Sequence, residues 1–369
     1  MKTFNLIPVL FFILLSAGCV TEFVPEISES ENVLVVEGLI TDQPAANRVR
    51  IALSLPLSNL SDPVPVTSAI VTVKDDLGNS HELREREPGN YYTNPARFRG
   101  EPGRKYFLLI ESYMGTYASS WMEMVPVPPI DSVWYEKEFV KLNQLGQVVE
   151  GCQIYLDTHD PLNNARFFRW NYSETWIFRL PYDVPNSVCW ITEESNRIFL
   201  TNTSYLAESA VKRMPVRKIA TETDDRLNEL YSIQVNQYSL NEEEFRYWEK
   251  IRKISDNTGG LYDVVPMTIQ GNMKNINDPD QLVLGFFSVS ALSSQRIFIR
   301  DYFAGQKNLY TGCPYATVPI NATIRYLGQI YWVIIMNYDD MTKTYTDQLR
   351  CADCTTRGTT VKPDFWPGD

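Results

Sequence analysis

The sequence predicts a mainly β protein. An N-terminal immunoglobulin-like β-sandwich occupies residues 33–127, and a larger β-rich (α+β) domain with one clear helix follows over residues 128–369. Three observations carry this reading. Apolar and polar residues alternate with a period of two in many short segments, as half-buried strands require. Turns containing Gly or Pro fall between those segments at short spacing. Helical periodicity is confined to one stretch, around Phe245 to Ile254.

In the first domain, Val49, Ile51, Leu53 and Leu55 alternate with Arg50, Ala52 and Ser54. Ala69, Val71 and Val73 follow the same rule, as do Tyr106, Leu108 and Ile110. Between them stand Asp76-Leu77-Gly78-Asn79, Glu87-Pro88-Gly89-Asn90 and Glu101-Pro102-Gly103. Gly admits positive φ and Pro presets φ, so each is a turn with a mechanism. Val125-Pro126-Val127-Pro128-Pro129 is an extended connector that marks the domain boundary.

Beyond the connector the pattern stays β. Phe168, Trp170, Tyr172, Trp176 and Phe178 share one face of a strand, and Glu174 interrupts that face. Glu174 reads as a rim position or a satisfied buried pair, with a polar contact inside an aromatic ligand groove as the sharper alternative. Tyr231, Ile233 and Val235 form another strand. Leu282–Val289 and Tyr331–Met336 are more continuously apolar than the other segments and are candidate central strands. The helix starts at Asn241, with Glu244 completing a capping box and Glu242 and Glu243 in the first turn. Phe245, Trp248 and Ile251 form its buried stripe, Glu242–Arg246 and Glu249–Lys253 are i,i+4 pairs, and Asn257 to Gly260 stops it.

Before the first strand comes a different kind of segment. Lys2 precedes an apolar run from Leu6 to Leu15, and Leu15-Ser16-Ala17-Gly18-Cys19 brings small residues straight up to a cysteine. The run is shorter than the roughly 20 apolar residues of a membrane span. The order is that of a bacterial lipoprotein signal: residues 1–18 are removed and Cys19 receives lipid, anchoring the chain. Residues 19–32, with Glu22, Glu26, Glu29 and Glu31, then form an acidic flexible tether.

Composition narrows the partners. Hydrophobic content of 44% in 369 residues is that of a folded protein. The formal net charge of −11 argues against nucleic acid and against lying flat on an anionic membrane. The 8 Trp, 21 Tyr and 17 Phe suit strands and cores, and leave room for an aromatic binding surface on which Trp170, Trp176 and Trp190 are the residues to test for a glycan or peptide ligand.

With Cys19 acylated, five cysteines remain. In an exported protein Cys189, Cys313, Cys351 and Cys354 are disulfide candidates, in any of three pairings, and Cys152 is left over. Cys351-x-x-Cys354 lacks the second pair of a zinc ribbon and the strand-to-helix setting of a redox site.

No catalytic residue, metal site or cofactor is predicted. The chain has two histidines, so a His-dependent triad or a multi-His metal site is hard to build. His81 reads as a surface residue, and His159 in Asp157-Thr158-His159-Asp160-Pro161 reads as part of a turn. Asn272 to Asp280 is rich in oxygens but lacks EF-hand spacing, so Asx-turns account for it. Asp224-Asp225 and Asp339-Asp340 keep carboxylate-dependent hydrolysis as a minor alternative.

Several segments share an order with a known family. Val35-Val36-Glu37-Gly38-Leu39-Ile40-Thr41-Asp42 follows the tether, and Pro129-Ile130-Asp131-Ser132-Val133 opens the second domain. Gly271-Asn272-Met273-Lys274-Asn275 leads through Asp278-Pro279 to Val283-Leu284-Gly285-Phe286-Phe287-Ser288-Val289. Cys351-Ala352-Asp353-Cys354 and Lys362-Pro363-Asp364-Phe365-Trp366-Pro367 close the chain. Together they resemble the Bacteroidota lipoproteins of domain of unknown function 4249 (DUF4249), over nearly the whole mature chain. In Bacteroidota an acidic segment after the lipidated cysteine resembles a surface-export signal. Cys152 departs from the family pattern, which agrees with its being unpaired.

The resemblance brings no catalytic residues. It implies a non-enzymatic outer-membrane lipoprotein that accompanies a TonB-dependent outer-membrane transporter of a nutrient-uptake system as an accessory or binding subunit. Direct capture of a glycan or peptide is the alternative.

Overall fold

In a computed structural model, the structure describes residues 33–54, 63–141, 148–257, 269–306, 312–323 and 332–368. The lipidation candidate Cys19 and its tether, Leu55, Tyr331 and the Gly259-Gly260 helix stop lie outside these residues. The chain is mainly β with one α-helix. Among the described residues no helix is long and apolar enough to cross a membrane.

The first body starts with β1 (Leu34–Ile40), β2 (Arg48–Leu53), β3 (Val64–Pro65), β4 (Ile70–Asp75) and β5 (Ser80–Glu82). It continues with β6 (Arg84–Glu87), β7 (Asn90–Tyr92), β8 (Lys105–Ser112), β9 (Gly115–Ser119) and β10 (Met122–Glu123). The second body contains β11 (Ile130–Lys141), β12 (Val148–Asp160), β13 (Phe167–Arg179), β14 (Val188–Glu194), β15 (Phe199–Asn202), β16 (Ser209–Ala220) and β17 (Tyr231–Leu240). After helix α1 (Glu242–Asn257) come β18 (Met273–Asn275), β19 (Val283–Val289) and β20 (Leu292–Ile299), then β21 (Ala316–Pro319), β22 (Trp332–Asn337) and β23 (Thr342–Thr346).

Two sheets face each other in the first body, ordered β19-β1-β2-β7-β6 and β18-β9-β8-β4-β5, with β3 beside β2 and β10 beside β8. Their alternating apolar residues meet in one core: Val49, Ile51, Val71, Val73, Leu108 and Ile110 are all fully buried. Residues 33–127 do not complete either sheet. β18 pairs with β9, and β19 runs parallel to β1 from Leu34 opposite Val283 to Ile40 opposite Val289. A parallel pair needs a long crossover, and here β2 to β18, with most strands of the second sandwich among them, lie between the two partners. The continuous apolar run of β19 therefore does not mark a central strand of the second domain. It lies at the end of the first sheet with its outer face covered by the helix, where Tyr247 stacks on Phe286 at 4.5 Å.

The second body packs β11-β12-β16 against β14-β13-β17-β20, with β15 beside β13. Along β13 the predicted alternation is present, with Phe168, Trp170, Tyr172, Glu174, Trp176 and Phe178 all buried. The connector before β11 is clamped rather than loose. The side-chain amide of Gln237 donates to the Pro128 carbonyl at 2.9 Å, and the Ser239 hydroxyl donates to the Val125 carbonyl.

A third, small sheet has the order β21-β23-β22. The run ending at Met336 forms β22 here, at the edge of this sheet rather than in the centre of a large one. A register irregularity between Val333 and Ile335 turns Ile334 inward and leaves Val333, Ile335 and Met336 exposed.

The helix begins as its sequence specifies, with the Asn241 side chain accepting from the Glu244 N–H at 2.9 Å. The Glu244 side chain turns inward to the Ser290 hydroxyl, 3.2 Å away. Burial therefore takes the carboxylate that a full capping box would turn back to the Asn241 N–H.

Candidate functional site

β13 brings the predicted aromatic residues together, and it brings them into the core. Trp170 and Trp176 are 1% and 0% exposed, so neither presents a ring face to solvent. The expected aromatic binding surface is corrected at these two positions: strand alternation points them between the sheets. Trp170 Nε1 donates to the Gln237 side chain at 2.9 Å, and Trp176 Nε1 donates to Asp225 at 3.1 Å. Trp190, on β14, is half-buried, and its backbone pairs with Thr359 of the tail in both directions, at 2.8 and 3.0 Å.

Glu174, the acid in the aromatic register, is the centre of a buried charge network. Its carboxylate pairs with Arg217 and Arg226, each at 3.1 Å, and accepts from the Tyr231 hydroxyl at 2.8 Å. Arg226 lies 4.1 Å over the Trp176 ring and also pairs with Asp224 at 2.9 Å and with Glu193. Asp225 links Trp176 to Arg357 of the tail, at 2.6 Å.

The energetics follow from this geometry. Burial works against the Arg226 charge, yet the carboxylates of Glu174, Asp224 and Glu193 outweigh it and raise its pKa. Burial opposes the Arg217 charge in the same way, and Glu174 again prevails. Tyr231 is pushed well above its ordinary value, first by burial and then by the Glu174 charge. Glu174 has an arginine on each oxygen and a hydroxyl as well, so its chemistry is that of a clamp joining β13 to β16, β17 and the loop between them. The satisfied buried pair is thus the reading that the structure supports.

Sequence reasoning missed both arginines that meet Glu174. An acid in an apolar register announces a partner, but nothing local says that it arrives from β16 and from the loop before β17.

The cysteines divide as expected, and the structure selects the pairing. Cys189 joins Cys354, and Cys313 joins Cys351, leaving Cys152 free and buried. The two cysteines of Cys351-x-x-Cys354 thus hold two different partners, which removes the redox-pair and zinc readings of that motif. Burial pushes the Cys152 thiol up to about 12, with the charges of Asp301 and Glu138 adding to it.

Both histidines have plain surroundings. His81 lies on β5, half-buried, with its ring 4.8 Å from that of Phe98. His159 belongs to a strand instead of a turn: it is on β12, paired with Ala210, and its Nδ1 is 2.7 Å from Asp131. Asp160 makes the turn, accepting from the N–H groups of Leu162 at 3.0 Å and Ala165 at 2.8 Å. The Asn275 side chain likewise accepts from the Asn277 N–H at 2.9 Å, as an Asx-turn does. No group of three or more potential metal ligands occurs among the described residues.

A family profile, the domain of unknown function DUF4249, matches residues 20–296. The chain belongs to the DUF4249 family. The match runs from the tether into β20, so it takes in β18 and β19, which complete the first sandwich. Cys313, Cys351 and Cys354 of this DUF4249 chain lie beyond the matched span. No curated protein matches it.

Outward-facing aromatics do exist in the second body. Trp134 and Tyr155 are half-buried on the outer side of β11 and β12, with ring centroids 4.8 Å apart. The Arg213 guanidinium lies over both rings, at 5.0 and 4.5 Å, and pairs with Glu136 at 2.8 Å.

Proposed function

We propose that this DUF4249 chain is an outer-membrane lipoprotein of a Bacteroidota envelope, displayed on the cell surface. It works as a non-enzymatic accessory or binding subunit beside a TonB-dependent transporter. The observation that carries this reading is the order Leu15-Ser16-Ala17-Gly18-Cys19 after a short apolar run, followed by an acidic spacer that ends where β1 begins. Two disulfides suit an oxidising compartment outside the cytoplasm. The buried charge network, with each group of Glu174 engaged, suits a rigid binding body better than a reaction centre.

The test is purification of the native protein from detergent extracts. Mass spectrometry should find an acylated Cys19 as the first residue, and mild crosslinking should bring down a β-barrel transporter. An unmodified N-terminus would remove the anchor, and a partner-free monomer would remove the accessory role.

A second reading, direct capture of a glycan or peptide, is favoured by the outward face of Trp134 and Tyr155. Under that reading Trp134→Ala abolishes a ligand-induced change in Trp fluorescence, whereas Trp190→Phe leaves it in place.

A further inference from the structure

A cleft of about 570 Å³ opens at one end of the first sandwich, in a chain whose net charge is −11. It lies where β5 and β6 part. These strands are separated only by Leu83, yet they are edge strands of different sheets. Leu83 is buried at the crossing, and its N–H donates to the Val71 carbonyl at 2.8 Å. The cleft is lined by Arg84 and Arg86 from β6, Arg97 from the loop after β7, and His81 from β5, with Tyr92 and Phe98 as aromatic walls.

Arg84 and Arg86 both line the cleft from β6, whose register with β7 shifts between Glu85 and Glu87, at Arg86. Among the described residues, Arg84, Arg86 and Arg97 are in no ion pair. Arg104, Arg213, Arg217 and Arg226 all have carboxylate partners. Arg86 instead lies 4.9 Å over the Tyr92 ring. Two acids also line the cleft, Glu82 and Glu85. Glu85 is already engaged: its two oxygens accept from the N–H groups of Ser68 at 2.9 Å and Gly89 at 2.8 Å.

Alternating charges on an edge strand guard against edge-to-edge pairing. That accounts for Arg84 and Arg86 but not for the third arginine, which a separate loop brings to the same cavity. Guanidinium groups grip carboxylate, sulfate and phosphate oxygens two at a time. A cavity of this size is within the range of small-ligand sites.

We propose that this cleft binds a small polyanion, with two or more carboxylate, sulfate or phosphate groups held by Arg84, Arg86 and Arg97. The site is independent of the transporter partnership proposed above. The probes are trigalacturonate, a sulfated disaccharide and inorganic pyrophosphate. Each is titrated by calorimetry into the full acylated protein in a non-ionic detergent, at about 0.15 M salt so that weak surface attraction is screened.

At least one probe should bind saturably at a single site. Arg84→Ser with Arg97→Ser should weaken it tenfold or more, while Lys105→Ser, an exposed change on β8, should leave it unchanged. Preference for trigalacturonate or the sulfated disaccharide assigns an acidic saccharide, and preference for pyrophosphate assigns a phosphate. Arg86→Ser, made separately, reads the same loss if the double change disturbs folding. The proposal is overturned if no probe binds saturably, or if binding survives both sets of changes.

Discussion

Gly285 stands opposite Val36 in the parallel pair of β19 and β1, at φ +86°, and a β carbon at Gly285 would lie 2.0 Å from the Val36 carbonyl oxygen. The seam between β1 and β19 thus depends on a residue without a side chain. Gly271 is equally confined, since its β carbon would lie 1.5 Å from the Gly285 oxygen. Gly285→Ala meets backbone on one side and a left-handed conformation on the other, so β19 must move off β1. The expected loss is about 3 kcal/mol or more, the range of substitutions that force backbone out of place. Urea unfolding measures it, and a loss under about 1 kcal/mol would show that the seam is not needed.

The same seam sets what a fragment can do. Residues 33–127 expressed alone lack β18 and β19 and leave Phe287 and Val289 out of the core they fill. Such a fragment should show no cooperative melt, while the full chain shows one. A sharp transition in the fragment would count against the shared core.

Local pattern explains how much of this was legible in the sequence. Strands β4 and β8 alternate buried and open residues, and β2 and β13 do so apart from one run of three buried residues each, so their period of two is visible one segment at a time. The helix start was equally legible because its cap is four residues long. What could not be read was pairing between distant segments: β1 with β19, Glu174 with Arg217 and Arg226, and Cys189 with Cys354. Trp170 and Trp176 look alike in a binding face and in a core, since alternation says that they share a side but not which side is dry. The three arginines of the cleft are spread over β6 and a loop, and only the crossing at Leu83 brings them to one cavity.

The tail is held to the second sandwich at three kinds of contact: Cys189–Cys354, Arg357–Asp225 at 2.6 Å, and the backbone pairing of Trp190 with Thr359. The disulfide closes a separation of 165 residues, for which the chain-entropy model gives about 5 kcal/mol. Cys354→Ser should lower stability by about 2–5 kcal/mol and expose the tail to limited proteolysis near Thr359. In the unreduced acylated protein, one thiol per chain, Cys152, should alkylate, and only after unfolding. Labelling of the native protein would show that Cys152 is not enclosed.

Glu174 is 4% exposed and lies between two arginines that burial alone would penalise. Glu174→Ala leaves both guanidinium groups without their shared anion, and breaking one side of a buried pair costs about 3–5 kcal/mol. Glu174→Gln keeps an oxygen for the Tyr231 hydroxyl and should cost less. Urea midpoints of the two variants measure the difference. Equal, small losses would mean that water reaches the arginines and screens them.

Glu244 offers a test through pH. Burial raises its pKa, and the Arg169 charge together with hydrogen bonds from Ser288, Ser290 and Trp248 offsets this only in part. Arg169 is itself held between the Tyr238 and Trp248 rings, 4.5 Å from each, at the junction of helix and sheet. The folded chain therefore keeps this proton at a pH where the unfolded chain, with an ordinary Glu at about 4.3, has released it. Between those two values the folded state binds more protons, so stability falls as pH rises and levels off above the raised pKa. Glu244→Gln removes the titration and retains a residue accepted at this helix position. The stability of the variant relative to the native chain should accordingly improve as pH climbs through that window. Unfolding free energies from about pH 4 to about pH 8 decide it, and two parallel curves would show that Glu244 keeps its ordinary affinity for a proton inside the fold.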